Sequence, residues 1–180
     1  MKKGLFFLIT IFWSGSLAFA QQVDNYRQDT TTLYQRAKGF SNDPVRSKWR
    51  QDVKKEGELF VLYLYDKKEV LQEKISFADK NLLERKGSYV LYQNGTVKEE
   101  GSYDKGYKNG EWRRYYANKQ VAETLTYTWD KPFGSRKLFY KDGKLALDEI
   151  YTKVGHLESG KYFDENGNAV DLAYVKKALN

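Results

Sequence analysis

Between Gly87 and Gly167 the chain alternates short aromatic-rich runs with polar turns, and this alternation repeats. A shift of 24 residues aligns four turn pairs, which are Asn94-Gly95, Asn118-Lys119, Asp142-Gly143 and Asn166-Gly167. The same shift aligns two tyrosine columns, which are Tyr92, Tyr116 and Tyr140, and then Tyr103, Tyr127 and Tyr151. Because these columns keep one period, internal repetition is the main organising feature of the chain.

Each repeat has the pattern of a β-hairpin. Asn-Gly and Asp-Gly between β-prone flanks are strong hairpin signals, since these residues accept the positive φ of a type I′ turn. Lys119 replaces the glycine in one unit and predicts a different or wider turn there. The pattern therefore predicts a mainly β fold, an elongated antiparallel meander of hairpin repeats over residues 87–168. Its aligned tyrosines are expected to form structural ladders that stabilise the sheet.

A two-residue turn at Asn94-Gly95 would fix the register by counting. Tyr92 would then oppose Val97 on one side of the sheet, called face one, and Leu91 would oppose Lys98 on the other, called face two. The more apolar face one is predicted to hold Trp112, Arg114, Tyr116, Val121, Glu123, Leu125 and Tyr127, and then Arg136, Leu138, Tyr140, Leu145, Leu147, Glu149 and Tyr151. Face two is predicted to hold Arg113, Tyr115, Ala122 and Thr124, and then Lys137, Phe139, Ala146 and Asp148.

The segment before the repeats divides into three parts. Residues 21–43 are polar without a clear period and are predicted to be a loosely attached lead-in. Residues 44–56 place Val45, Trp49 and Val53 at i, i+4 and i+8 after a proline, which predicts a short amphipathic helix with Trp49 as its packing anchor. Residues 57–86 read as a degenerate β-hairpin repeat and its connection.

The last segment, residues 169–180, is a candidate cap for the sheet. Asp171 precedes a stretch with Leu172, Val175 and Leu179 at helical spacing and lysines near its end, which favours a helix. The competing interpretation is a strand over residues 169–175 that completes the fourth hairpin.

Residues 1–20 have the features of a signal peptide. Lys2 and Lys3 precede an apolar run, and Ala18-Phe19-Ala20 forms a small-x-small cleavage site. We therefore expect an exported bacterial protein, periplasmic or secreted, without a transmembrane segment after cleavage. The alternative is an uncleaved N-terminal anchor.

Composition narrows the chemistry that the chain can perform. The sequence has no cysteine, so disulfides and thiolate sites are excluded. The formal net charge is +7, but lysines and acids are interspersed, which argues against a nucleic-acid partner.

No set of residues has the spacing of a catalytic or metal centre, so an enzyme is not expected, and neither is a cofactor. The lone His156 follows Gly155 in a predicted turn and has no accompanying nucleophile motif. Glu99 and Glu100 are adjacent in a strand and should point to opposite faces, so they cannot act on one bond. Glu123 is expected to form a cross-strand ion pair with Arg114.

The pattern Gly-x-Trp/Tyr-x-x-Tyr-x-Asn-Gly, followed by an acidic pair, a tyrosine and a glycine, resembles the variant MORN repeat of YwqK-like exported bacterial proteins. The match is best over residues 87–110 and fades after Gly160. This resemblance implies a β-hairpin platform for protein or envelope contacts. The family's antitoxin label implies a further alternative, an immunity-like partner of an exported toxin.

Two functional hypotheses follow. The first is a non-catalytic scaffold that docks another envelope protein. The second is a surface that binds polysaccharide or anionic lipid head groups, because cations and aromatic rings alternate on face two. The candidate residues for this surface are Arg113, Tyr115, Lys137, Phe139, Lys161 and Phe163.

Overall fold

A computed structural model describes residues 49–179 together with the backbone of residues 30–36 and 39–41. The predicted signal peptide lies outside the described residues. The described chain forms thirteen strands and one helix. They are β1 (Thr30–Arg36), β2 (Gly39–Ser41), β3 (Trp49–Glu56), β4 (Leu59–Asp66), β5 (Leu71–Phe77), β6 (Arg85–Gln93), β7 (Thr96–Asp104), β8 (Tyr107–Lys108), β9 (Gly110–Tyr115), β10 (Val121–Thr128), β11 (Lys131–Phe139), β12 (Leu145–Tyr151), β13 (Leu157–Tyr162) and α1 (Leu172–Leu179).

All described strands belong to one antiparallel sheet. From β3 to β13 the strands are neighbours in chain order, except that the two-residue β8 pairs only with β7. At the other end, β1 pairs with β3 and β2 pairs with β1. The predicted mainly β, antiparallel meander is therefore confirmed.

The N-terminal predictions need correction, because strands replace the helix over residues 49–56 and part of the lead-in. β3 pairs with β4 along its whole length, and β1 and β2 fall within the segment expected to be a loosely attached lead-in. The apolar spacing from Trp49 to Val53 is four residues, an even number that also fits strand alternation. Gly57, just after these residues, takes a positive φ of 61° in the β3–β4 turn.

Two kinds of turn close the hairpins. Asn94 and Gly95 both have positive φ, and Gln93 pairs with Thr96, as the two-residue type I′ turn requires. The Lys119 turn is wider, as predicted: the Tyr116 N–H bonds to the Gln120 carbonyl across a three-residue loop.

The Asp142-Gly143 turn differs from the expected type I′ form. The Tyr140 N–H bonds to the Lys144 carbonyl, so this loop also has three residues, and of the turn pair Gly143 alone has positive φ.

A one-residue bulge recurs in the hairpins and changes the predicted register. Lys98, Ala122 and Ala146 each lie between two paired positions without a partner of their own. These three residues are 24 positions apart. Because a bulge shifts the pairing by one residue, Leu91 opposes Glu99 instead of Lys98, although Tyr92 opposes Val97 as predicted.

The bulges also reverse several predicted side-chain positions. Leu91 shares a row with Arg114 and therefore lies on face one, which places its neighbour Tyr92 on face two. Val121 opposes Tyr115, and Leu145 opposes Phe139, so they too lie on face two and not on face one. The prediction that face one holds these residues is wrong.

The first tyrosine ladder is therefore shorter than predicted. The Tyr116 hydroxyl donates to the Phe139 carbonyl at 2.6 Å, and the Tyr140 hydroxyl donates to the Phe163 carbonyl at 2.7 Å. Each tyrosine thus links its hairpin to the next one, whereas Tyr92 lies on the opposite face.

The second tyrosine column lies on face one and is joined by other side chains. Trp112 packs edge-on against Tyr103 and Tyr127, with ring centroids 5.1 and 6.2 Å apart. Tyr89 adds a further ring 5.3 Å from Trp112. Trp112 is 3% exposed, so this aromatic stack forms one part of the core. Tyr151 instead donates to the Glu149 carboxylate at 2.9 Å.

A charge ladder forms the next part of face one. Glu123 binds Arg114 on one side and Arg136 on the other, and Arg136 Nη1 lies 3.0 Å from Glu149 Oε2. Glu123 and Glu149 are only 7% and 3% exposed. Burial alone would lower the pKa of the Arg136 guanidinium, but its bonds to Glu123 and Glu149 raise the pKa above the ordinary value. The predicted Arg114–Glu123 pair is confirmed, and its carboxylate is buried.

α1 covers the C-terminal part of face one. Asp171 caps the helix, because its side chain accepts the Tyr174 N–H at 2.7 Å. Val175 is fully buried against Tyr140 and Leu147, and Leu172 and Leu179 pack around them. The predicted capping helix is confirmed, and the alternative strand is limited to one bridge between Phe163 and Ala169.

Candidate interaction surface

The six candidate residues predicted from the sequence come together on face two. Arg113, Lys137 and Lys161 lie in one row across the strands, separated by Thr124 and Asp148. The aromatic candidates lie beside this row, each two residues after its cation, on β9, on β11 and in the chain after β13. Among the described elements, the one helix lies on face one and leaves this part of face two open.

The row contains acids as well as cations. Arg113 opposes Glu100 on β7, and Asp148 lies between Lys137 and Lys161. Neighbouring strands are about 4.8 Å apart, so Glu100 and Asp148 each lie one strand spacing from a cation. The cations Arg113 and Lys137 are two strand spacings apart, with Thr124 between them. The full row from β5 to β13 is Lys74, Val90, Glu100, Arg113, Thr124, Lys137, Asp148 and Lys161.

Arg113 and Tyr115 already have partners within this surface. Arg113 Nε donates to Glu111 at 2.7 Å, and its guanidinium is 3.9 Å from Glu100. The Tyr115 hydroxyl donates to Glu100 at 2.5 Å. Partial burial and then this hydrogen bond raise the pKa of Tyr115, while the bond to Glu111 raises that of Arg113. This end of the surface is therefore preorganised and nearly neutral.

At the other end of the row, the lysine side chains have no ion-pair partner among the described residues. Neither Lys137 nor Lys161 has a carboxylate within 4 Å among the residues that the structure describes. Asp148 Oδ1 is buried and has no hydrogen-bond partner there. A buried acceptor without a donor is costly, and burial of this oxygen leaves the rest of the Asp148 side chain to face a partner.

The aromatic candidates are half-buried and continue toward the turns. Tyr115, Phe139 and Phe163 show part of each ring on face two. Tyr92, which was expected on face one, extends the same side of the sheet. A shallow hollow of about 350 Å³ borders Tyr115 and Glu100. The surface is thus broad and shallow, a form suited to a macromolecule.

The described residues contain no metal-binding group. No cluster of three histidine, cysteine or acidic side chains is present between residues 49 and 179. His156 lies in an exposed turn, where its backbone N–H donates a hydrogen bond to Thr152 Oγ1. Glu99 binds Lys108, and Glu100 binds Tyr115 on the other face, so the adjacent carboxylates diverge as predicted.

No helix in the described part of the chain is long and apolar enough to cross a membrane.

Comparisons with known proteins do not identify a family. No family model matches the sequence, and no curated protein matches it. A crystal structure of TarM is similar to 71% of this chain, with 10% identity and a TM-score of 0.33. A mutant of S. aureus TarM in complex with Fondaparinux, alpha-GlcNAc-glycerol and UDP gives 9% identity and a TM-score of 0.30. In both cases this chain spans 23% of the length of the other protein.

Proposed function

We propose that this chain is an exported, non-catalytic scaffold and that its face two docks another protein of the cell envelope. The supporting observation is the row of mixed charge from Glu100 to Lys161, which places two acids and three cations on an open sheet face. A protein strand or helix can present charges of both signs at matching intervals, and such complementarity gives specificity.

The same row disfavours a purely anionic ligand. Lipid head groups or phosphates would approach Lys137 and Lys161 but would also face Asp148 between them. At the other end, Arg113 is already neutralised by Glu111 and lies near Glu100. The net attraction for a polyanion is therefore small, whereas a partner with charges of both signs in the complementary order gains at each charged position.

Site-specific photo-crosslinking tests this proposal in the cell that makes the protein. A photoreactive residue at Thr124 lies in the middle of the row, and the same group at Tyr174 on α1 is the matched exposed control. We expect one discrete protein adduct from Thr124 that does not form from Tyr174. Adducts that are identical at both positions would contradict docking on face two.

A charge exchange then tests the row itself. Lys137→Asp combined with Asp148→Lys keeps the net charge but reverses the local order. We expect the Thr124 adduct to fall about tenfold, because like charges would face each other at the contact. An unchanged thermal unfolding midpoint controls for folding. An adduct that survives the exchange would reject the charge row as the recognition element.

A further inference from the structure

A pair of exposed aromatic rings lies at the ends of the strands, outside the row of face two. We call this border of the sheet, where the β10–β11 turn meets β8, the turn edge. Tyr107 and Trp129 are 46% and 51% exposed, and their ring centroids are 5.3 Å apart. Tryptophan is usually well buried, as Trp112 is in this protein. An exposed, ordered Trp–Tyr pair is therefore a candidate contact site.

Trp129 occupies a backbone position that disfavours it. Trp129 and Asp130 form the two-residue turn between β10 and β11, and both have positive φ, 53° and 62°. Asparagine and glycine fit such positions, whereas a bulky aromatic residue there is strained. Strain of this kind is found where a side chain serves a function.

The turn is fixed to its neighbour, which orients the indole ring. The Lys108 N–H donates to Asp130 Oδ1 at 2.6 Å, and the Asp130 N–H donates to the Lys108 carbonyl at 3.1 Å. These bonds hold Trp129 beside Tyr107 on β8. The ring is thus preorganised, so a ligand would not have to order it on binding.

Lysines surround the aromatic pair. Lys105 Nζ is 5.8 Å from the centroid of the Trp129 ring, and Lys131 follows the turn directly. Neither lysine has a carboxylate within 4 Å among the described residues. The next turn along the edge carries Lys153, and its Gly155 packs beside the Lys131 side chain.

We propose that Lys105, Tyr107, Trp129 and Lys131 form a binding site for an anionic glycan, which we call the edge site. A sugar ring would pack on the open face of Trp129, and carboxylate or sulfate groups would pair with the two lysines. Aromatic surface and unpaired cations supply these two interactions together. The edge site shares no residue with the row of face two, so each proposal can fail without the other.

The geometry favours a glycan chain over a flat bilayer. The Trp129 ring packs against Tyr107, with the two ring planes inclined by 60°. Neighbouring strands of a sheet are rotated by about 20–25°, so turns two strands apart point in directions that differ by about 40–50°. A flexible polymer can follow such a twisted edge, whereas a planar membrane meets only one turn.

The test uses Trp129→Asn in the full chain, because asparagine suits the positive φ of this turn and should not destabilise the fold. The matched control is Lys119→Asn, another residue with positive φ on the opposite edge of the sheet. Affinity electrophoresis measures retention by alginate, dextran sulfate and neutral dextran. Flotation with phosphatidylglycerol vesicles measures membrane binding.

We expect retention by alginate or dextran sulfate, and not by neutral dextran. Trp129→Asn should weaken that retention about tenfold, the loss of one aromatic contact, while Lys119→Asn leaves it unchanged. The double substitution Lys105→Gln and Lys131→Gln should reduce the salt dependence of this retention.

Four results would overturn the edge site. They are no retention by either anionic glycan, equal retention by neutral dextran, equal retention of Trp129→Asn and wild type, and vesicle binding that needs Trp129 without glycan retention.

Discussion

Face one is filled in two different ways along one sheet. In one half, Tyr89, Tyr103, Trp112 and Tyr127 form an aromatic stack. In the other half, Arg136 links two buried glutamates in the charge ladder. Both halves are built from antiparallel hairpins in which the same bulge recurs, although their turns differ in length. The repeat therefore specifies strand pairing, and the side chains decide separately how each part of the core is filled.

One register column runs through both halves. It contains Gly101, Trp112, Leu125, Arg136, Glu149 and Gly160. The glycine on β7 leaves room for the large indole ring, whereas Arg136 and Glu149 fill the same column by pairing. Filling the space beside Gly101 in the aromatic half should therefore destabilise the sheet by a steric clash. Removing a carboxylate partner of Arg136 in the other half should destabilise it by leaving a partly buried charge with one partner fewer.

The largest effect is expected in the aromatic half. A Cβ on Gly101 would overlap the ring of Trp112, so Gly101→Val must expel the indole from its site. We expect the free energy of unfolding to fall by about 3–4 kcal/mol in urea titrations. In a Trp112→Ala background the same change should cost much less, because the clash is gone. Equal costs in both backgrounds would contradict this account.

The charge ladder should show a smaller loss. Glu149→Gln removes one of two carboxylates from Arg136 and weakens the bonds from the Tyr151 and Tyr162 hydroxyls. We expect a loss of about 2–3 kcal/mol, because the guanidinium stays partly buried with less compensation. Glu111→Gln removes an exposed partner of Arg113 and should cost less than about 0.5 kcal/mol. Similar losses for both variants would show that burial of the ladder contributes nothing.

The smallest effect concerns alkaline pH and one buried phenol of the aromatic half. Burial, followed by the charge of Glu73, raises the pKa of Tyr89 in the folded protein. The unfolded chain loses this phenol proton at about pH 10, while the folded chain keeps it. Stability is therefore fully present below pH 10 and falls as pH rises above it.

Tyr89→Phe should remove this contribution to the pH dependence. We expect the decline in unfolding free energy between pH 10 and 11.5 to become shallower by at most about 1 kcal/mol per pH unit. Glu111→Gln, which changes no phenol, should keep the wild-type slope. A Tyr89→Phe slope equal to that of the wild type would show that the phenol is not shielded from solvent.

Local signals predicted much of the fold. Asn94-Gly95 forms the expected type I′ turn, Arg114 pairs with Glu123, and the Asp171 cap begins a helix. Each of these features depends on residues close in sequence or directly across one hairpin. Such contacts can be counted from the sequence when the turn is known.

Features that depend on the exact register of the strands were harder to predict from the sequence. The bulges at Lys98, Ala122 and Ala146 have no residue signature, yet each moves neighbouring side chains to the other face. For the same reason, Tyr92 was assigned to the wrong face. The helix over residues 44–56 failed because a spacing of four residues satisfies both helix and strand periods.

The candidate surface was predicted in part. The alternation of β9 and β11 placed Arg113, Tyr115, Lys137 and Phe139 together, and the structure keeps them on face two. The contribution of Glu100 was missed, because the β7–β9 pairing cannot be read within one hairpin. The edge site was also missed. A signal was present in the sequence, because Trp129-Asp130 follow Tyr127 where Lys105-Gly106 follow Tyr103 in the preceding repeat.

The regular bulge has a consequence for how this protein can change in length. Each hairpin contains its own bulge, which restores the alternation of side chains between the faces. A duplicated or lost copy of 24 residues would therefore leave the side chains in the rest of the sheet on their original faces. An insertion of one residue in a strand would move the side chains that follow it to the opposite face, up to the end of that strand or the next bulge. Natural variants of such a chain should therefore differ by whole copies of the unit, with single-residue changes confined to turns.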